Sequence, residues 1–271
     1  MAENSDMTVY LTLMLYGVRA DDITGGRFIR FVGGLFKELG HPPDCLGIHR
    51  VAGSKKPRGF YPMPVRPLRT QLLRGGFRDV TSIDIVTLQK NGRYPGEDYL
   101  LMGSWHREPH YALIAAPLNL VPDTNEWCQK RAMEMIKFLR PEYGCGYLSG
   151  KNFRPAQFTA YPGLGDGMEE DRRNNWWGMS AVRRKLWQKG VIRDVFRWNF
   201  ISEEQLQQKM GRTSLRQWIA SDIGRGELHP FSHGMTLWYV PDDRIPAIRK
   251  TLHHAGVVFD HHRHTGYLRP A

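Results

Sequence analysis

Three neighbouring stretches decide the fold class: TSIDIVTLQ (81–89), YLLMGSW (99–105) and HYALIA (110–115). Each is rich in β-branched, aromatic and aliphatic residues, a composition that favours β-strands. Asn91-Gly92 marks a turn after the first stretch, and no helical pattern separates the three. Strands that follow one another without a helix between them favour antiparallel pairing, so this part of the chain predicts an antiparallel sheet.

The segments on either side add helices and further strands. Apolar residues recur at three- and four-residue steps over residues 27–39, and Gly40 follows as a natural stop. Asp123 or Thr124 can cap a second helix that runs to Arg140. The other predicted elements are strands over 8–16, 144–148, 156–160, 191–200 and 235–240 and helices over 68–74, 175–188, 202–209, 214–220 and 245–255.

This order of elements predicts an α+β fold, with a largely antiparallel or mixed sheet and flanking helices. The chain has 271 residues, which is long for one average domain and short for two large ones. The loop PGLGDG (162–167) is the best candidate for a boundary. We therefore predict two tightly packed lobes, 1–165 and 166–271, with one continuous domain as the alternative.

Composition restricts the compartment. The most apolar early stretch, residues 9–16, is only eight residues long, whereas a membrane-spanning helix needs roughly 18. Residues 1–6 are polar and acidic, unlike the basic start of a signal peptide, so we expect a cytoplasmic protein. The chain's three cysteines are odd in number and show no CxxC spacing, which favours free thiols over disulfides or a thiolate zinc site.

The net charge is +11, and the positive residues are spread among carboxylates without a dense Lys/Arg tract. A basic surface can attract nucleic acid, an anionic membrane or an acidic protein partner, and charge does not choose among them. Nucleic-acid binding through this surface is therefore kept as an alternative function.

Motifs that assemble a catalytic centre are missing from the sequence. It contains no HExxH, no GxxxxGK[ST] and no GxSxG. We predict a protein that is not an enzyme and that uses neither a cofactor nor a metal. A hydrolase whose residues converge only in the fold remains a third hypothesis, because partners such as a Cys–His pair meet only in space.

Histidines form two groups that invite other interpretations. His106 and His110 flank Pro109, which breaks the helix that would align them, so they are predicted in a turn or an edge strand. Five more are predicted to form a solvated basic tail rather than a metal site, because adjacent strand residues point to opposite faces. These five are His253, His254, His261, His262 and His264.

An acidic run, DGMEED (166–171), stands out in this basic chain. Three interpretations stay open: carboxylate chemistry, a helix start favoured by the helix dipole, and a protein interface with aromatic anchors. For the interface, the candidate partner-binding residues are Asp166, Glu169, Glu170, Asp171, Arg172, Arg173, Trp176 and Trp177. A second candidate is the Pro-rich surface loop over residues 53–67, with Lys55, Lys56, Arg58 and Arg66.

Residues 176–259 carry a family resemblance. The segments are WWGM (176–179), VIRDVFRWNFIS (191–202), QLQQKMGRTSLRQWI (205–219), GRGELHPFSHGMTLWYVP (224–241) and IPAIRKTLHHAGVVF (245–259). They resemble the C-terminal part of the bacterial immunity protein 52 family. The matching positions are Asn199, Phe200, Ser202, Leu215, Trp218, Ile219, Gly226, Leu228, Trp238, Ile245, Arg249, Leu252, Ala255 and Gly256.

The resemblance implies a cytoplasmic α+β protein that neutralises a cognate toxin, of the polymorphic or type VI secretion kind, encoded nearby. It implies further that such toxins carry a restriction-endonuclease-type DNase domain. Inhibitors of DNA-binding toxins tend to be acidic, whereas this chain is basic. Either the acidic run at 166–171 supplies a local complement, or inhibition blocks toxin self-association or covers an acidic region of the toxin rather than its DNA-binding cleft. No catalytic residue is implied.

Overall fold

The computed structural model describes residues 9–55, 58–62, 77–90, 99–107, 110–149 and 185–259. These residues form two compact units. The first holds the described residues up to Arg140, together with Leu148 and Ser149, and the second holds Pro141–Tyr147 and the described residues from Lys185 onward. The predicted boundary between residues 165 and 166 lies outside the described residues.

The first unit is built on an antiparallel sheet. Its strands are β1 (Tyr10–Tyr16), β2 (Cys45–Arg50), β3 (Gly59–Pro62), β4 (Val80–Leu88), β5 (Tyr99–His106) and β6 (Tyr111–Pro117). They lie in the order β1-β6-β5-β4-β2-β3, and each neighbouring pair is antiparallel. The three stretches that predicted the sheet are β4, β5 and β6, so the predicted α+β class with an antiparallel sheet is confirmed.

Two long helices pack on this sheet. Helix α1 (Asp22–Glu38) contacts β4 and β5, and helix α2 (Thr124–Leu139) contacts β1. Asp123 caps α2 as predicted, because its carboxylate accepts a hydrogen bond from the Glu126 amide. Helix α1 begins five residues earlier than predicted, because Asp21 accepts from the Thr24 amide and so caps an extra turn.

Strands β1 and β6 are buried along their whole length, on both faces of the sheet. On the face toward α1, a Cβ atom built on Gly103 would lie 2.7 Å from the Val32 methyl groups, closer than packed atoms can approach. Glycine at this strand position therefore sets how closely α1 packs on the sheet. The next residue, Ser104, points to the opposite face, because side chains alternate along a strand.

Four further strands lie in the order β11-β12-β8-β7, and each neighbouring pair is antiparallel. These strands are β7 (Tyr143–Ser149), β8 (Trp198–Ile201), β11 (Glu227–Pro230) and β12 (Thr236–Tyr239). A separate hairpin pairs β9 (Lys209–Met210) with β10 (Thr213–Ser214). The helices are α3 (Glu203–Leu206), α4 (Leu215–Ala220) and α5 (Ile245–Ala255).

The strand predicted over 191–200 is much shorter in the structure. Only Trp198–Ile201 pairs as a strand, and the preceding residues form an irregular, buried segment. Asp194 and Asn199 cause this difference, because their side chains hold backbone groups of the segment that a strand would have used. Residues 257–259 contribute one parallel bridge between Ile192 and Val258.

We expect Gly103→Ala to destabilise the protein, by about 1–3 kcal/mol, because the new methyl group overlaps Val32. Gly34→Ala is the matched control, since Gly34 is exposed in α1 with no atom within 4 Å of its would-be Cβ. In that helix position alanine should stabilise by about 0.5–1 kcal/mol. Urea unfolding measures both, and equal effects of the two substitutions would contradict the close packing of α1 on β5.

Candidate functional site

Four polar side chains meet on the face of the first sheet that points away from α1. Strand register places them together, because Gly47 pairs with Asp84 and Asp84 with Ser104, while His49 pairs with Ser82 and Ser82 with His106. We call Asp84, Ser104, His106 and His49 the polar cluster. It combines a carboxylate, a hydroxyl and two imidazoles, the residue types that hydrolases use.

Asp84 accepts the central hydrogen bonds of the polar cluster. The Ser104 hydroxyl donates to Asp84 Oδ1 at 2.5 Å, and Ser104 Oγ also lies 2.9 Å from His106 Nε2. His49 Nε2 lies 3.2 Å from the second oxygen of Asp84. The His106 ring is stacked on Tyr111, with ring centroids 4.1 Å apart.

Proton counting fixes the role of each group. A carboxylate only accepts, so the single hydroxyl proton of Ser104 is committed to Asp84. The contact between Ser104 and His106 is then a hydrogen bond only if the imidazole donates from Nε2. In a serine hydrolase the hydroxyl donates to the imidazole and the carboxylate orients the far side of the ring. Here the order is reversed, which is unsuited to activating Ser104 as a nucleophile.

The pKa values of His106, Asp84 and His49 agree with this direction of hydrogen bonding. Burial lowers the pKa of His106 to about 4, against an opposing effect of the Asp84 charge, so the ring is neutral at pH 7. Burial alone would raise the pKa of Asp84, but hydrogen bonds from His49 and Ser104 outweigh it, and the carboxyl pKa ends below its usual value. The hydrogen bond to Asp84 raises the pKa of His49.

The two histidines give the cluster its contact with solvent. Ser104 is 1% exposed and Asp84 is 7% exposed, whereas the side chain of His49 is half exposed and His106 is partly exposed. The reacting hydroxyl of a hydrolase has to meet its substrate, and Ser104 does not reach the surface. We interpret the polar cluster as an internally satisfied network that fixes the register of β2, β4 and β5.

The sequence-based interpretation of His106 was wrong. His106 ends β5, a strand with a partner on each side, and is neither in a turn nor on an edge strand. His110 does lie in the turn that follows, with a positive φ of 61°. A signal was present in the sequence, because Ser104 and His106 are two residues apart in a strand and therefore share a face.

The predicted interface residues are only partly described. Lys55 and Arg58 are exposed, and the loop that leads to them is held at its base, where Asp79 accepts hydrogen bonds from Arg50 and Ser54. The remaining candidates lie outside the described residues, so they stay predictions. These are Lys56, Arg66, Asp166, Glu169, Glu170, Asp171, Arg172, Arg173, Trp176 and Trp177.

The histidine-rich tail is described only at its start. His253 and His254 lie in the last turn of α5, and His261, His262 and His264 are outside the described residues. Within the part of the chain that the structure covers, no group of three His, Cys, Asp or Glu side chains is placed to hold a metal ion. All three cysteines are free thiols.

The positions that carry the family resemblance are structural. Asn199 is fully buried, and its side-chain amide accepts from the Phe196 amide at 3.0 Å and donates to the carbonyls of Phe196 and Trp238. Arg249 donates to the buried Asp194 at 2.6 Å and to the Val195 carbonyl. These contacts hold the irregular segment before β8 against β12 and α5.

At other positions of the family resemblance, local contacts also explain the residue type. Ser202 and Gln205 form a capping box at the start of α3, with the Ser202 amide donating to Gln205 at 2.6 Å. Gly226 has a φ of +89°, and a Cβ atom there would lie 2.2 Å from the Tyr239 carbonyl oxygen. Trp218 is half-buried, and the Arg225 guanidinium lies 4.3 Å from its ring centroid.

No helix within the described ranges is long and apolar enough to cross a membrane. No protein-family model matches the sequence, and no curated protein matches it. Among solved structures, the fold is similar to that of a protein described as Pseudomonas aeruginosa T6SS protein PA0821, with a TM-score of 0.52. The two sequences are 14% identical, and the match covers 93% of this chain and 73% of that one. At this identity the likeness shows the fold, and the family resemblance stays a prediction.

The polar cluster predicts how stability depends on pH. The pKa of His106 in the folded protein lies below that of an unfolded histidine. Between about pH 6.5 and 4, His106 therefore binds a proton in the unfolded state and stays neutral in the folded state. The free energy of unfolding should therefore fall in this window, by on the order of 2 kcal/mol from His106. Urea unfolding at pH 7, 5.5 and 4.5 measures the fall.

His106→Gln should flatten this dependence. His49→Gln is the matched control with the opposite sign, because the raised pKa of His49 stabilises the folded state at low pH and loses this effect as pH rises. An unchanged fall in stability in His106→Gln, from pH 7 to 4.5, would mean that His106 is not the group held neutral.

Proposed function

We propose that this chain is a cytoplasmic immunity protein that binds and neutralises a toxin delivered by a bacterial type VI secretion system. It would act by blocking the toxin's active site or its assembly, and it would carry out no reaction of its own. The toxin is expected to be encoded nearby and, from the family resemblance, to be a nuclease.

The fold likeness carries this proposal. The solved structure that shares the fold over 93% of this chain is described as a T6SS protein. The resemblance of residues 176–259 to the immunity protein 52 family rests on residue patterns alone, and it implies a toxin of the polymorphic or type VI secretion kind. Two separate lines of evidence, backbone shape and residue pattern, therefore support one biological setting.

The polar cluster supports the non-enzymatic part of the proposal. The hydroxyl of Ser104 is committed to Asp84 and shielded from solvent, and the neighbouring imidazole has to donate rather than accept. The motif residues Asn199 and Arg249 are likewise occupied in holding backbone and a buried carboxylate. Polar groups used in this way stabilise a scaffold that presents a binding surface.

A tight inhibitor of this size is expected to bury a standard interface, on the order of 1,600 Å² in total. Most of the binding energy would come from a few aromatic or arginine anchors, with surrounding charges that steer association. Our first candidate for the anchors remains residues 166–177, and the second is the loop that carries Lys55 and Arg58.

Neutralisation is tested with the gene next to the one that encodes this chain. Its product is expressed from an inducible promoter in a heterologous bacterium, with and without this protein. We expect growth arrest that this protein relieves, and we expect the two proteins to co-purify. Undiminished killing, together with no co-purification, would overturn the proposal.

Charge reversal tests the second candidate surface. Because Lys55 and Arg58 are exposed and steering charges act mainly on association, the double variant Lys55→Glu/Arg58→Glu should lower the association rate about tenfold at low salt. Lys250→Glu, on the exposed side of α5, is the matched control. Surface plasmon resonance against the purified toxin measures both, and equal rates for the two variants would exclude this loop from the interface.

A further inference from the structure

A cleft of about 460 Å³ opens in the first unit where the end of α1 meets the start of α2. Its apolar lining comes from Leu39, Leu120, Pro122 and Trp127. The cleft is separate from the polar cluster, and no residue that carries the family resemblance lines it. Its volume falls within the range of pockets that bind small ligands or a short stretch of peptide.

Two buried donors lie in the lining. Trp127 and Arg131 are each 5% exposed, and they are four residues apart, so they share one face of α2. Neither the indole N–H of Trp127 nor the Nε–H of Arg131 has a hydrogen-bond acceptor among the described residues. Buried donors without acceptors are costly and rare in folded proteins, and both side chains line the cleft. Because the indole nitrogen is itself buried, an acceptor in the cleft reaches its N–H only when the ring turns.

The carboxylates that line the cleft determine which kind of ligand group can enter it. Glu38, Asp123 and Glu126 line the cleft against two cations, Lys130 and Arg131. The guanidinium of Arg131 is already occupied, because its two terminal nitrogens contact Glu38 and Glu134. The charge left at the mouth is therefore negative, in a chain whose net charge is +11. A ligand carboxylate or phosphate would be repelled, whereas a neutral amide carbonyl would not.

We propose that this cleft binds a peptide segment of a partner protein that contains lysine or arginine. A main-chain carbonyl of the segment accepts from Trp127 after a small rotation of the indole ring, and its basic side chain meets Asp123 and Glu126. The partner's aliphatic atoms pack on Leu39 and Pro122. This inference rests on the proposed function only in that the partner is a protein. The negative mouth of the cleft would let a chain of positive net charge bind a basic segment of that partner.

The test uses two capped tripeptides, acetyl-glycyl-arginyl-glycine amide and acetyl-glycyl-glutamyl-glycine amide. The full chain is labelled with ¹⁵N, and its tryptophan indole signals are followed by NMR during titration. Trp127→Phe identifies the Trp127 signal. We expect this signal to move with the arginine peptide, with a Kd on the order of 1 mM, and not with the glutamate peptide.

Glu126→Gln should weaken the arginine peptide, by roughly two- to fivefold, because it removes one exposed carboxylate from the mouth. Glu227→Gln, an exposed carboxylate of the second unit, is the matched control and should leave the titration unchanged. A Trp127 signal that does not move, or that moves equally with both peptides, would overturn the inference. Because no toxin is used, that result leaves the neutralisation experiment unaffected.

Discussion

The antiparallel register of β4 and β5 is the constraint on which the rest of the first unit depends. It places Gly103 against Val32 of α1 on one face and Ser104 against Asp84 on the other. A slip of one residue would exchange these faces, bringing a hydroxyl into an apolar helix contact and leaving a carboxylate without its donor. The close helix packing and the polar cluster therefore select the same register.

This constraint also determines what the polar groups are free to do. Residue types that often mark a catalytic centre are present in the first unit, but their hydrogen bonds run from hydroxyl to carboxylate and leave the imidazole as a donor. Buried polar side chains of the second unit are occupied in the same way. Asn199 donates to the Trp238 carbonyl, and Arg249 donates to the buried carboxylate of Asp194. Both units use their buried polar chemistry to hold shape, which suits a protein that works through its surface.

Sequence patterns predicted the regular parts of this fold well. The apolar runs of β4, β5 and β6 and the capped helix at Asp123 follow from local rules, and the structure has them. The path of residues 191–197 could not be predicted, because its apolar residues suit a strand. Asp194 and Asn199 instead hold its backbone, and the Asp194 carboxylate is held in turn by Arg249, 55 residues away.

The candidate sites were harder to predict than the fold. The polar cluster joins residues from three strands, and its strongest local sign was the spacing of Ser104 and His106. The cleft depends on two buried donors, Trp127 and Arg131, which in the sequence are ordinary residues of an amphipathic helix. Long-range register and burial decide both sites, and neither property can be seen in a single segment of sequence.

If the Ser104 hydroxyl is committed to Asp84, the neutral ring of His106 donates from Nε2. The direct measurement is ¹⁵N NMR of the histidine ring nitrogens at pH 7, with His106 identified by substitution. We expect a neutral ring that carries its proton on Nε2. A neutral ring with its proton on Nδ1, and with Nε2 accepting from Ser104, would contradict it and would make Ser104 a nucleophile worth testing.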